Sequence, residues 1–215
     1  MPLEPPFQVC QPYQGLYHVV FPSRPGRLGE VDLAFHFLRF QEHYESPGFK
    51  GSVFSWARYV AWYKRARGSF SYADDWGGFN FPGSSLAPFR AGAFDPLTRR
   101  ERALLAALAA VRPQDYVIGT HDGDAEALAH ELAHAFWHLD GAYRAQAQAI
   151  LAGGDHRRQR ARLASGEGYD PMVYDDEIQA CAVDGDPDCA PDAARCRALR
   201  ALFEATQARL AQAPA

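Results

Sequence analysis

The stretch GDAEALAHELAHAFWHLD, residues 123 to 140, constrains this chain more than any other. Leu128, Leu132, Ala135, Phe136 and Leu139 recur at the spacing of one buried helical face, and His130, His134 and His138 fall on the other side. Asp122 or Asp124 stands where an N-cap belongs. His130 and His134 are four apart, so both imidazoles project from one face, a turn apart, and can grip a single ion. Glu131 is rotated from them by about a third of a turn, which suits a carboxylate acting on metal-bound water better than one filling the coordination shell. Ala129 and Ala133 beside the histidines leave space for the ion.

Two imidazoles do not hold a zinc ion alone, so the pattern H-E-x-x-H calls for a third protein ligand and one open position. His138 continues the row, but on a straight helix it stands about 12 Å from His130 at about 1.5 Å per residue. Asp140 occupies the last position of the longer H-E-x-x-H-x-x-G-x-x-H/D pattern, yet Trp137 replaces the glycine that makes the required turn. Glu177 is the preferred candidate. It lies on a separate predicted helix, in the string Asp176-Glu177-Ile178-Gln179-Ala180, where apolar Ile178 can anchor an acidic face.

With those residues in place, the segment from about Gly123 to Val183 resembles the gluzincin branch of the zincin metallopeptidases, whose H-E-x-x-H is completed by a glutamate on a downstream helix. The resemblance implies Zn²⁺ held by His130, His134 and Glu177, with Glu131 as general base in the hydrolysis of a peptide or amide bond. It also implies a zincin-like α+β fold, mainly helical, with a small sheet next to the H-E-x-x-H helix. The oxyanion of such a reaction needs a further donor, for which Tyr174 and His138 are candidates and Tyr169 a reserve. Asp175, Asp176 or Glu126 is expected to orient a histidine through its free ring N–H.

Two rival functions fit the same residues. Two histidines and one carboxylate also describe the Fe²⁺ site of non-haem oxygenases, which with an oxo-acid cosubstrate calls for a buried arginine such as Arg90 or Arg144. A binding module that keeps the metal without turnover is the other, with residues 68–94 as its partner surface.

At 215 residues the chain can bury one good core, which predicts a single domain. The formal charge of -4 with interspersed signs gives no footprint for nucleic acid or an anionic membrane. The basic run Arg157, Arg158, Arg160 and Arg162 reads as a solvated helix face. No window approaches a membrane span and the N-terminus lacks a secretory pattern, so a cytoplasmic protein acting on a peptide or protein substrate is expected. Cys10, Cys181, Cys189 and Cys196 form no C-x-x-C pair and are expected free, a Cys189–Cys196 bridge being the alternative.

In chain order, six prolines make residues 1–29 an extended arm over the core, with one strand at Leu16 to Phe21. A helix is predicted from Val31 to His43, and a second, capped by Ser52 and aromatic nearly all round, as far as Arg67. The glycine- and aromatic-rich segment 68–94 is either a site-lining loop, with Asp74, Asp75, Trp76 and Asn80 facing a ligand, or a self-packed surface loop. Asp95-Pro96 opens a helix to Val111, and Tyr116 to Gly119 is a strand that could offer a peptide its edge. Further helices are predicted at Ala142 to Ala152, through the arginine run to Leu163, at Tyr174 to Val183 and at Asp192 to Ala211, with a turn at Ser165 to Gly168.

Overall fold

The run Tyr116-Val-Ile-Gly-Thr-His121 is apolar on both faces, and that decides its place: a strand buried on both sides belongs in the middle of a sheet. In the computed structural model, which describes residues 7–23, 27–164 and 169–212, the fold is α+β with a four-stranded mixed sheet in the order β1-β2-β4-β3. Strand β1 (Gln8–Tyr13) and β2 (Leu16–Phe21) form an antiparallel hairpin. Strand β4 (Tyr116–His121) runs parallel to β2, with Leu16 opposite Tyr116, and β3 (Phe79–Pro82) pairs antiparallel to β4.

Alternation along the strands divides the core in two. Val19, Phe21, Phe79, Phe81 and Val117 join an N-terminal cluster built on helix α1 (Arg27–Glu45), with Leu33, Phe37 and Phe40 at its centre. Leu16, Tyr116 and Ile118 join a C-terminal cluster with Leu132, Phe136, Ile178 and Leu199. That second layer consists of α6 (Ala125–Leu139), α7 (Gly141–Ala152), α9 (Tyr174–Asp184) and α10 (Ala193–Ala211). Gly119 sits under the Phe37 ring, where a Cβ would come within 2.4 Å of Cζ, so only glycine lets α1 lie this close to β4.

Several local expectations change. The proline-rich arm contains a second strand, β1, and Pro12 is tolerated there because β1 is an edge strand. Strand β4 is interior, so it offers no free edge to a peptide. Helix α2 (Trp56–Arg67) is capped by Ser55 instead of Ser52, because Phe54 is buried and its ring lies 5.8 Å from that of Tyr59, the contact that staples a helix start. Only Tyr59 and Tyr63 of that helix are buried, so it is amphipathic despite its ring content. Thr98 and Glu101 form a capping box that starts α5 at Arg99 and not at Pro96, and the helix ends at Ala107, short of Val111.

Segment 68–94 is more ordered than a loop: it folds into α3 (Tyr72–Asp75), β3, a 3₁₀ turn and α4 (Ala87–Arg90). On α8 (Arg157–Arg162) the arginine run pairs with acids, Arg160 with Asp175 and Arg162 with Asp188. The four cysteines are free. The turn expected at Ser165 to Gly168 lies outside the described residues. Among those described, no helix is long and apolar enough to cross a membrane.

The inner face of α1 also buries Gln41, Glu42 and Glu45. Glu42 accepts a hydrogen bond of 2.8 Å from the Tyr72 hydroxyl. Burial pushes its carboxyl up to about 7, against the opposing pull of hydrogen bonds from Tyr72 and Tyr59. A native-state pKa above the unfolded one means the folded chain holds the proton more tightly. The associated stability is complete below about pH 4.5 and is lost as pH rises through about 7. Glu42→Gln keeps the acceptor and removes the titration, so it should be more stable than the native chain at pH 8 by about 2–3 kcal/mol and no better at pH 4. Denaturant unfolding at the two pH values measures this, and an equal effect at both contradicts it.

Candidate metal centre

Asp124 caps α6 by accepting from the Ala127 N–H, and the helix runs unbroken to Leu139. His130 and His134 therefore stand one turn apart, their Nε2 atoms 3.1 Å from each other. Helix α9 packs against α6 and brings Glu177 to them, with Oε2 3.8 Å from His130 Nε2 and Oε1 3.7 Å from His134 Nε2. One ligand atom from each of the three lies within 4.8 Å of the others, and the group could hold a metal ion.

The remaining ring nitrogens have partners that fix the tautomers. His134 Nδ1 is 2.9 Å from Asp176 Oδ1, and His130 Nδ1 is 2.6 Å from Asp184 Oδ2. Each Nδ1–H donates to a carboxylate, which turns both Nε2 lone pairs toward Glu177, the arrangement in which histidines bind metals. Asp176 is held in turn by Gln179 Nε2 at 3.0 Å, and Gln179 by the Tyr143 hydroxyl at 2.6 Å. Two nitrogens at tetrahedral zinc stand about 3.3 Å apart for bonds of about 2.05 Å, close to the separation seen, so the donor set fits such an ion.

Charge balance supports the same fit. Burial pushes Glu177 well above the usual carboxylate range, against the pull of His130. Burial also raises Glu131, and it carries Glu45 up to about 8 with the help of repulsion from Glu42. His134 moves the other way from what its burial dictates, because Asp176, then Glu131 and Glu45, hold its imidazolium up to about 9. A cation held among these groups would relieve the crowding of buried carboxylates that causes these shifts.

Glu131 is buried beside the triad without belonging to it. Asn80 Nδ2 donates to its Oε2 at 2.8 Å, and the Tyr116 hydroxyl fixes Asn80 by donating to Oδ1 at 2.6 Å. Alternation along β3 sends Phe79 and Phe81 into the N-terminal core and Asn80 toward α6. Gly78 makes room for the carboxylate, since a Cβ there would come within 2.4 Å of Oε1. Gln41 Oε1 accepts from the Asn80 backbone N–H at 2.9 Å, which closes the β3 edge at that residue. All of this surrounds a cleft of about 570 Å³.

The other candidate residues fall elsewhere. His138 stacks near Tyr116, with ring centroids 4.5 Å apart, and burial lowers its pKa. Tyr174 opens α9 and packs against the C-terminal core. Neither lines the cleft, whereas Tyr169 does. Asp140 caps α7 through the Ala142 and Tyr143 N–H groups and pairs with Arg209, so it is engaged away from the triad. Asp176 orients a histidine as expected of it, Asp175 pairs with Arg160, and Glu126 lines the cleft. Of the aromatic segment, Asp75, Trp76 and Asn80 line the cleft. Asp184, Gln41 and Glu45 went unnoticed in the sequence, although the i,i+4 spacing of Gln41 and Glu45 marks a shared helix face. Comparison with protein-family models, with characterised proteins and with solved structures finds no match to this chain.

Proposed function

We propose that the protein is a zinc-dependent hydrolase of peptide or amide bonds. The supporting observation is the pairing of a three-donor group, both of whose histidines are oriented by aspartates, with an adjacent buried carboxylate outside the donor set. His130, His134 and Glu177 would hold a zinc ion, which would supply Lewis acidity toward a carbonyl and lower the pKa of water to about 7. Glu131 takes the proton of the attacking water. Its Oε2 is occupied by the Asn80 amide, which leaves Oε1 to accept that proton and pass it to the leaving amine. Burial raises the proton affinity of Glu131 above that of an exposed carboxylate, which favours its taking a proton. The Asn80–Tyr116 link holds the carboxylate in one orientation throughout.

The iron-oxygenase reading loses its expected arginine: Arg90 donates to the Leu108 carbonyl and Arg144 to that of Trp137, and neither lines the cleft. Elemental analysis of purified protein, followed by peptide hydrolysis with and without a chelator, tests the proposal. Zinc in a one-to-one ratio with chelator-sensitive cleavage is expected. Iron accompanied by oxygen consumption overturns it.

A further inference from the structure

The charge around the cleft is one-sided. Glu45, Glu131 and Glu177 lie buried in its lining. Asp75, Asp124, Glu126, Asp184 and Asp186 also line it, at partly or fully exposed positions. Among the described residues no lysine or arginine lines it, although the chain has 22 of these against 26 acids. A divalent ion held by the triad would offset charge among the buried carboxylates and leave that of the more exposed ones. Asp184 is engaged by His130, and Asp75 has Arg67 at 3.9 Å. Glu126 and Asp186 have no ion-pair partner among the described residues; Asp186 Oδ1 accepts from the Asp188 N–H at 2.9 Å, and both carboxylates leave net negative charge at the cleft.

A second feature concerns Trp76. Its ring lines the cleft, edge-on to Tyr169 with centroids 6.0 Å apart. Aromatic faces beside uncompensated carboxylates are a setting that binds cations. Edge pairing offers little alternative hold on a substrate, since β4 is interior and the Asn80 N–H of β3 is already taken.

We propose that the cleft selects peptides with a lysine or arginine side chain near the scissile bond, Glu126 and Asp186 serving as the specificity carboxylates and Trp76 as an aromatic wall. This rests on the hydrolase reading for the bond cut, but not for the charge selected. Binding is therefore measured separately from cleavage, on zinc-loaded Glu131→Gln protein with labelled, N-acetylated peptides that differ only in Lys, Gln or Glu at one position. The Lys peptide should bind about tenfold more tightly than its Glu counterpart, with Gln between, and added salt should narrow the gap. In Glu126→Gln/Asp186→Asn protein the ratio should fall toward one, and Glu126→Lys should lower it further. Equal binding of the three peptides, or a preference for Glu, overturns the proposal. A preference that appears only with free N-termini and ignores the side chain assigns the charge to the terminal amine and overturns it too. Selective binding without cleavage by the native protein sinks the hydrolase reading alone.

Discussion

Glu131→Gln should bind the same metal as the native chain and hydrolyse substrate on the order of 10³-fold more slowly, the usual loss when a general base is removed. The substitution is nearly isosteric. The amide oxygen can still accept from Asn80 Nδ2, so the packing against Gly78 and the link to Tyr116 survive. What disappears is the capacity to take a proton. Because Glu131 is buried and its carboxyl is raised by that burial, its replacement also removes an unfavourable charge, and the variant should unfold no earlier than the native protein. Metal content and kcat, measured on the same preparation, decide the matter. Undiminished turnover removes Glu131 from the mechanism, and loss of metal with turnover makes it a structural residue.

Glu177→Ala should lower metal affinity on the order of 10³-fold, beyond the roughly 10–100-fold attached to an outer partner of a ligand. The two remaining donors are imidazoles on one helix, and a pair of donors does not hold zinc. The contrasting variant is Asp140→Ala. Asp140 accepts from two backbone N–H groups at the start of α7 and pairs with Arg209, so its loss should cost about 1 kcal/mol of stability and leave metal affinity unchanged. Competition with a chromophoric chelator reads the affinities, and denaturant melts read the stabilities. The reverse outcome, with Asp140→Ala losing metal, transfers the third ligand to the longer H-E-x-x-H-x-x-G-x-x-H/D pattern.

The legible parts of this fold are those whose cause is local. Helices α6, α7, α9 and α10 show their apolar period, and Asp124, Asp140 and Asp192 stand at their caps. Strand β4 is written in β-branched and aromatic residues. Glu177 could be picked out because its neighbours already defined a helix of its own. Strand β1 was hidden by Pro12, which reads as a strand breaker until the strand is known to lie at an edge. Strand β3 was hidden among glycines, and its role depends on alternation that only its pairing with β4 fixes. The supports of the site were less visible still. Asn80 meets Glu131 across 51 positions and Asp184 meets His130 across 54, distances over which no periodicity carries information.

The division of the core has a consequence for how the proposed activity would be lost. His130, His134 and Glu177 are carried by α6 and α9, which pack in the C-terminal cluster, whereas Asn80 and Gln41 come from elements seated in the N-terminal one. If the proposed hydrolase reading holds, damage to the first half of the molecule would leave the three metal donors in place while Glu131 loses its alignment. On the proposed reading a preparation could then be fully charged with metal and still be inert, so metal content alone would be no certificate of a working catalyst.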